Sequence, residues 1–304
     1  MSDSGSQPPV LMIVHAHPDD ESSQTGGTLA RYAAAGCRTI LVTCTDGSQG
    51  DAADGAKPGQ RGHDPRRVAA HRSGELDAAA AALGVHVVVK LGYPDSGAPG
   101  VAEGVGEDAG EGAREGAGEG VESFSRGPVM PTVTQMVRLL RLHQPDVLIT
   151  YPPNGLSGHP DHVRTHDVVV AAHANVVANG EPDSRLPRLY YIAMSASRLR
   201  AARSAVRVAL GDDAWAPPEE MGTDDAAITT TIDVSAFWEQ KLRALAAHAS
   251  QADAAMLLRM FSADGGLTES VVRVEEYVRV HPVFAPAVVE TDFFGPGSAA
   301  HRSG

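Results

Sequence analysis

The 304-residue chain is 42% hydrophobic, enough for a packed core, and carries a formal charge of −13. That acidic balance excludes nucleic acid or an anionic membrane as partner, since either calls for clustered Lys and Arg. No apolar segment approaches the ~20 residues that span a bilayer, and no basic stretch precedes the first apolar run. No stable membrane association is expected, and the expected location is the cytoplasm.

Residues 1–8 are small and polar and are expected to fray. Val10 to Val14 then form a short apolar run bounded by Pro8-Pro9 and a polar turn, the pattern of a buried central strand. It delivers His15-Ala16-His17-Pro18-Asp19-Asp20-Glu21. A helix over 28–35, stopped by Gly36, leads to a second strand over 38–45 rich in β-branched residues. Cys37 and Cys44 lie beside and within that strand, are not spaced as a metal pair, and read as reduced structural thiols. Residues 46–65 form an irregular loop, and a helix over 66–83 follows, with Val68, Arg72, Leu76, Ala79 and Leu83 along one face. Position alone makes Arg72 a residue that snorkels or pairs with Glu75 or Asp77.

A third strand over 85–91 ends in Tyr93-Pro94-Asp95-Ser96-Gly97. Residues 100–122 are almost wholly Gly, Ala, Glu and Asp, with nothing to bury, and are expected to be disordered. A helix over 131–143, with Pro131 in its first turn, precedes a fourth strand over 146–150. That strand runs into Tyr151-Pro-Pro-Asn-Gly-Leu-Ser-Gly158 and then His159-Pro160-Asp161-His162, where a helix begins and runs to about 177. Further on, a strand over 188–194, a helix over 198–210, a loop over 211–227, an edge or antiparallel strand over 228–234, a helix over 235–249 and a strand over 275–280 are predicted, with a mobile Gly-Pro-Gly-Ser tail. Strands alternating with helices predict an α/β fold: a three-layer, Rossmann-like, mainly parallel sheet with helices on both faces over 1–195, and a smaller C-terminal α+β portion over 196–304 that completes the substrate site.

Two imidazoles and three carboxylates in seven residues cannot all be buried unpaired, because each such charge costs several kcal/mol; a divalent metal removes that cost by binding some of them. In parallel sheets ligands gather at the carboxyl ends of strands. Adjacency of the loops after the first and fourth strands would bring His15, His17, Asp19, Asp20 and Glu21 within reach of His159, Asp161 and His162. Two imidazoles, one carboxylate and a water make a hydrolytic zinc site, with a neighbouring carboxylate as base; spacing alone does not choose between His15 and His17 as ligand.

The paired motifs Ala16-His17-Pro18-Asp19-Asp20-Glu21 and Gly158-His159-Pro160-Asp161-His162 resemble the signatures of the LmbE-like, or PIG-L, zinc de-N-acetylases, a family with members in phosphatidylinositol-glycan, mycothiol and glycopeptide-antibiotic metabolism. Arg72-Ser-Gly-Glu-Leu, Asp95-Ser96-Gly97, Ala247-His-Ala-Ser-Gln251 and Glu290-Thr-Asp-Phe-Phe-Gly295 extend the resemblance over most of the chain. It implies one Zn2+ per chain held by His17, Asp20 and His162, Asp19 as general base, His159 as oxyanion or leaving-group helper oriented by Asp161, and Arg72 and Asp95 as sugar-binding residues. His15 then stands behind the ligands, and His248 lines the site or merely packs. Ser157 stands where the mycothiol enzymes carry a catalytic Tyr, and Gln24 where the conjugate amidases tend to have Lys.

The expected activity is therefore zinc-dependent removal of an N-acetyl or other N-acyl group from a glucosamine-containing small molecule, an N-acyl amino-sugar conjugate. An amidase acting on mycothiol S-conjugates or a related thiol is the alternative. A non-catalytic glycoside- or nucleotide-binding module is more remote, since no Gly-x-Gly-x-x-Gly or Gly-x-x-x-x-Gly-Lys-Ser/Thr element follows the first strand and His ligands favour zinc over magnesium. Nothing in the sequence fixes the oligomeric state.

Overall fold

The computed structural model describes residues 7–97, 122–180, 186–212, 215–261, 273–283 and 289–295. Of the segments expected to be frayed (1–8), disordered (100–122) and mobile (the Gly-Pro-Gly-Ser tail), residues 1–6, 100–121 and those after Gly295 lie outside the described residues. In chain order the elements are β1 (Val10–His15), α1 (Asp20–Gln24), α2 (Gly26–Ala34), β2 (Arg38–Thr45), α3 (Pro65–Ala82), β3 (Val87–Tyr93), α4 (Val129–His143), β4 (Val147–Thr150), α5 (Pro160–Ala178), β5 (Arg188–Ala193), α6 (Ala196–Leu210), β6 (Thr230–Asp233), α7 (Trp238–Ala247), α8 (Ala252–Phe261) and β7 (Val274–His281).

The strands form one mixed sheet in the order β3-β2-β1-β4-β5-β7-β6. The first five are mutually parallel, β7 runs antiparallel to β5, and β6 antiparallel to β7 at the edge. The sheet is thus the α/β core predicted, and the strand expected at an edge is the edge strand. β1 is apolar and β2 mixes apolar residues with buried threonines, and both are buried almost throughout because both of their faces are covered. Leu11 and Ile13 point to a core shared with α2, α3 and α7, while Met12 and Val14 point to one shared with α4 and α5. The C-terminal elements are tied to the core through Glu275 of β7, which accepts the Gly27 and Thr28 amides at the start of α2 and pairs with Lys241 of α7 at 2.6 Å. Cys37 and Cys44 are buried free thiols, burial pushing each up to about 12.

Chain direction decides where chemistry sits. From β1 the sheet grows one way through β2 and β3 and the other way through β4 and β5, so order reverses between β1 and β4. Such a switch point opens a crevice at the carboxyl ends of its two strands. The loops that leave there carry the two His/Asp motifs.

Several boundaries differ from the sequence reading. α4 begins at Val129, two residues before Pro131, capped by Pro128. The helix expected over 235–249 is α7 preceded by a short 3-10 turn, and α8 follows it as a separate helix. α1 is an extra five-residue helix inside the first motif, too short for periodicity to announce.

Candidate metal centre and catalytic cleft

β1 ends at His15, and the chain turns at Pro18-Asp19 into α1. On the other side of the switch point β4 ends at Thr150, and a turn delivers His159 as the N-cap of α5 with Pro160 in the first turn. β1 and β4 pair directly, with Leu11 opposite Val147 and Ile13 opposite Ile149. The two motifs meet because of that pairing.

Three acceptor atoms converge there. Asp20 Oδ2 lies 3.4 Å from His17 Nδ1 and 3.4 Å from His162 Nε2, and the two nitrogens are 3.2 Å apart. Ligand atoms on a tetrahedral zinc are about 3.3 Å from one another, given bonds of about 2.0–2.1 Å. The outward nitrogens fix the tautomers. His162 Nδ1 donates to the Gly155 carbonyl at 3.0 Å, and His17 Nε2 faces Asp161 Oδ2 at 3.2 Å and Asp95 Oδ1 at 3.6 Å. Each imidazole therefore turns a lone pair toward the Asp20 carboxylate, and three lone pairs at this spacing repel unless a cation lies between them. Burial works against charging His17, but Asp95, Asp161 and Asp20 raise its pKa well above the usual value. A divalent cation held between these atoms would relieve that repulsion. The residues fit the metal the sequence motifs imply. His17, His159 and His162, and separately His17, Asp95 and Asp161, also bring one ligand atom each within 4.8 Å of one another.

The two adjacent aspartates are placed differently. Asp20 is nearly enclosed, at 9% side-chain exposure, while Asp19 is 26% exposed and opens to the cleft. Asp20 Oδ2 also accepts the His17 amide at 2.9 Å and Oδ1 accepts the Gln24 amide side chain at 2.8 Å. Asp19 sits at φ 118°, in the left-handed region, as the N-cap of α1. Its backbone N–H donates to Glu21 Oε2 at 2.9 Å, and Arg72 from α3 grips the same turn, donating to the Pro18 carbonyl, to Asp19 Oδ2 at 2.8 Å and to the Gly47 carbonyl at 2.8 Å. Partial burial pushes the Asp19 carboxyl up to about 6, against the lowering pull of Arg72.

His159 caps α5 by accepting the Asp161 amide on Nδ1 at 3.2 Å, which leaves the proton on Nε2. Burial, with His17 and His162 nearby, pushes its pKa down to about 4, so it is a neutral donor at neutral pH. The ring stands edge-on to His17 with centroids 4.5 Å apart. Asp161 meets His159 through that backbone amide, while its Oδ2 faces His17 and accepts the Ser96 amide and its Oδ1 is buried without a hydrogen-bond partner. Asp95 lies under the cluster, its pKa lowered against burial by the charge of His17, and its Oδ2 is 4.0 Å from Arg72. Arg72 does not pair with Glu75 or Asp77; it is buried and turned into the site.

Residues 12–173 match the PIG-L family, described as GlcNAc-PI de-N-acetylase. The chain belongs to that family. It is 38% identical over 266 residues to 1D-myo-inositol 2-acetamido-2-deoxy-alpha-D-glucopyranoside deacetylase 2 of Catenulispora acidiphila, covering 83% of this chain and 82% of that one. It is 33% identical over 298 residues to the enzyme of the same name, without the numeral, from Thermobifida fusca, covering 93% and 98%. Among solved structures the fold resembles N,N'-diacetylchitobiose deacetylase of Pyrococcus horikoshii at TM-score 0.52 and 22% identity over 88% of this chain and 82% of that one. It also resembles the 4-carboxy-2-hydroxymuconate hydratase of Pseudomonas putida at TM-score 0.56 and 17% identity over 92% and 99%. A fold shared by a deacetylase and a hydratase does not choose the reaction, which must come from the site.

In this PIG-L chain the sequence-predicted residues His17, Asp19, Asp20, Arg72, Asp95, His159, Asp161 and His162 all meet at one cleft. Sequence reasoning named His15, Glu21 and His248 as neighbours, His248 as one that lines the site or merely packs, but missed Tyr151. Tyr151, read only as the start of a turn, touches two of the cluster residues. Glu21 and His248 form a fully enclosed pair at 2.7 Å, so His248 does not face the cleft. Gly155 holds φ 66°, and a Cβ there would lie 2.8 Å from His162 Cβ, which is why the carbonyl that orients His162 belongs to a glycine. Ser157 is exposed, with Oγ 3.3 Å from His162 Nδ1.

Proposed function

We propose that this chain is a zinc-dependent hydrolase that removes the acetyl group from an N-acetylglucosamine joined to a small polyol such as inositol. The observation that carries it is the triangle of His17 Nδ1, Asp20 Oδ2 and His162 Nε2 with the exposed Asp19 carboxylate beside it. The names borne by the Catenulispora and Thermobifida relatives support the substrate class.

His17, Asp20 and His162 hold the ion. Bound there, zinc supplies Lewis acidity that acidifies water and polarises an amide carbonyl. Asp19 accepts the proton of the attacking water, a role that suits a carboxylate pushed up to about 6 and still open to the cleft. Neutral His159 donates from Nε2 to the developing oxyanion, and the proton that Asp19 took from water passes to the amine nitrogen as the C–N bond breaks. Asp161 and Asp95 hold His17 in the tautomer that leaves Nδ1 free. Arg72 and Asp95, both buried and engaged with Asp19 and His17, back the cleft wall where sugar hydroxyls would lie. An amidase for mycothiol S-conjugates has less support, because both relatives bear deacetylase names and Gln24 is occupied with Asp20.

The test is amine release from a panel of N-acetylglucosaminides, with metal-stripped and zinc-restored protein. Zinc-dependent release, greatest on the inositol glycoside, is expected; in Asp19→Asn, zinc content stays at one per chain while turnover falls by roughly 10²–10⁴-fold. Undiminished turnover in that variant removes Asp19 from the role of base.

A further inference from the structure

Tyr151 is the first residue beyond β4, fully buried, and the catalytic scheme above does not use it. Its hydroxyl donates to Asp20 Oδ2 at 2.7 Å, the oxygen that faces His17 and His162. The same hydroxyl accepts the Ala16 amide at 3.0 Å and lies 3.1 Å from His15 Nδ1. Since its single proton goes to Asp20, His15 donates from Nδ1, and His15 Nε2 accepts the Thr25 hydroxyl at 2.8 Å. A buried relay runs from Thr25 through His15 and Tyr151 to Asp20. The Tyr151 ring meanwhile lies flat on His162, centroids 4.3 Å apart and planes 18° from parallel, and its carbonyl accepts from His166 Nδ1 at 2.9 Å.

We propose that Tyr151 is a positioning residue that sets the geometry of two of the three metal ligands, Asp20 by hydrogen bond and His162 by stacking. This rests on the metal-site reading above. A carboxylate oxygen held by a phenol cannot swing away from the ion, and an imidazole held between an aromatic face and the Gly155 carbonyl keeps its lone pair on target. Loss of such outer partners costs ~10–100-fold in metal affinity. A packing role alone would cost fold stability and leave affinity untouched.

The experiment titrates cobalt(II) and zinc into metal-stripped wild type, Tyr151→Phe and Tyr190→Phe, using a competing chelator. The cobalt absorption spectrum and the unfolding temperature of the metal-free proteins are recorded alongside. Tyr190 is an equally buried phenol whose hydroxyl serves Glu290, outside the cluster, so Tyr190→Phe controls for loss of a core hydroxyl. Tyr151→Phe is expected to bind both metals ~10–100-fold more weakly with an altered cobalt spectrum, while Tyr190→Phe binds like wild type. Wild-type affinity and spectrum in Tyr151→Phe overturn the proposal. If Tyr151→Phe does not fold, His15→Gln, which keeps a group for Thr25 and loses the one for Tyr151, decides in the same way: weaker metal binding supports the relay and unchanged binding overturns it. A wild type that binds no metal overturns the metal-site reading itself, seen before any variant is compared.

Discussion

Asp19 is the most constrained residue of the cleft. Its left-handed backbone is a strained conformation for a non-glycine residue, worth of order 1–3 kcal/mol, and it persists because Glu21 holds the amide on one side and Arg72 holds the carboxylate and the preceding carbonyl on the other. Arg72 therefore acts on the base electrostatically as well as sterically. In the proposed role Asp19 must be deprotonated to work, so kcat/KM should fall as pH drops through its pKa, raised to about 6 by partial burial. The guanidinium pulls that value down, and Arg72→Gln removes the pull. The acid limb of a pH-rate profile should move to higher pH in this variant; a limb that stays in place or moves down would assign it to another group. A charged cluster after a buried strand was legible in the sequence because charges packed so densely demand a partner, but the choice of His17 over His15 came only from the resemblance to the family. Arg72 was not legible by position, since periodicity says which face a helical residue lies on and nothing about the turn that face meets.

At the scale of elements, the Glu21–His248 pair joins α1 to the end of α7. Against burial, Glu21 is lowered from 4.5 by His248, and His248 is raised from 6.5 by Glu21. The lowered carboxylate contributes stability that is complete above its unfolded value near 4.5 and lost as pH falls further; the raised imidazole contributes stability that is complete below its unfolded value near 6.5 and lost as pH rises beyond its folded value. The pair should thus stabilise most between about 4.5 and 6.5. Urea unfolding of His248→Gln against wild type should show the largest difference inside that window, and a difference independent of pH would deny the ion pair. Apolar runs made β1 and β4 readable and β-branched residues β2, while Gly36 just past α2 and Pro160 at the start of α5 marked helix ends. α1 was not readable because five residues hold little more than one turn. The split between α7 and α8 at His248-Ala-Ser-Gln251 was hidden too, because side-chain bonds made far along the chain settle it: Glu75 takes the Ser250 amide and hydroxyl, and Gln251 reaches Asp51.

For the whole molecule, strand order was the part that the residues could not announce, because it depends on contacts between distant segments. The pairing of β1 with β4 placed both motifs in one crevice, and His17 meets His162 across 145 residues. A ligand that binds only the folded chain adds RT ln(1 + [L]/Kd), about 2.7 kcal/mol at a hundredfold excess over Kd. Chelation should therefore lower the melting temperature by a few degrees in scanning calorimetry, and an unchanged transition would mean that no ion is held. The separation of the ligands also orders events in time. The unfolded chain offers only the local pair His17 and Asp20, and the third proposed ligand, His162, joins them once β1 and β4 have docked, so the complete proposed site forms late in the search for the native topology. Refolding monitored by far-UV circular dichroism should proceed at the same rate with zinc or with chelator, and the protein leaving synthesis should pass through a folded, metal-free stage in which the available pool of ions decides what the site takes up.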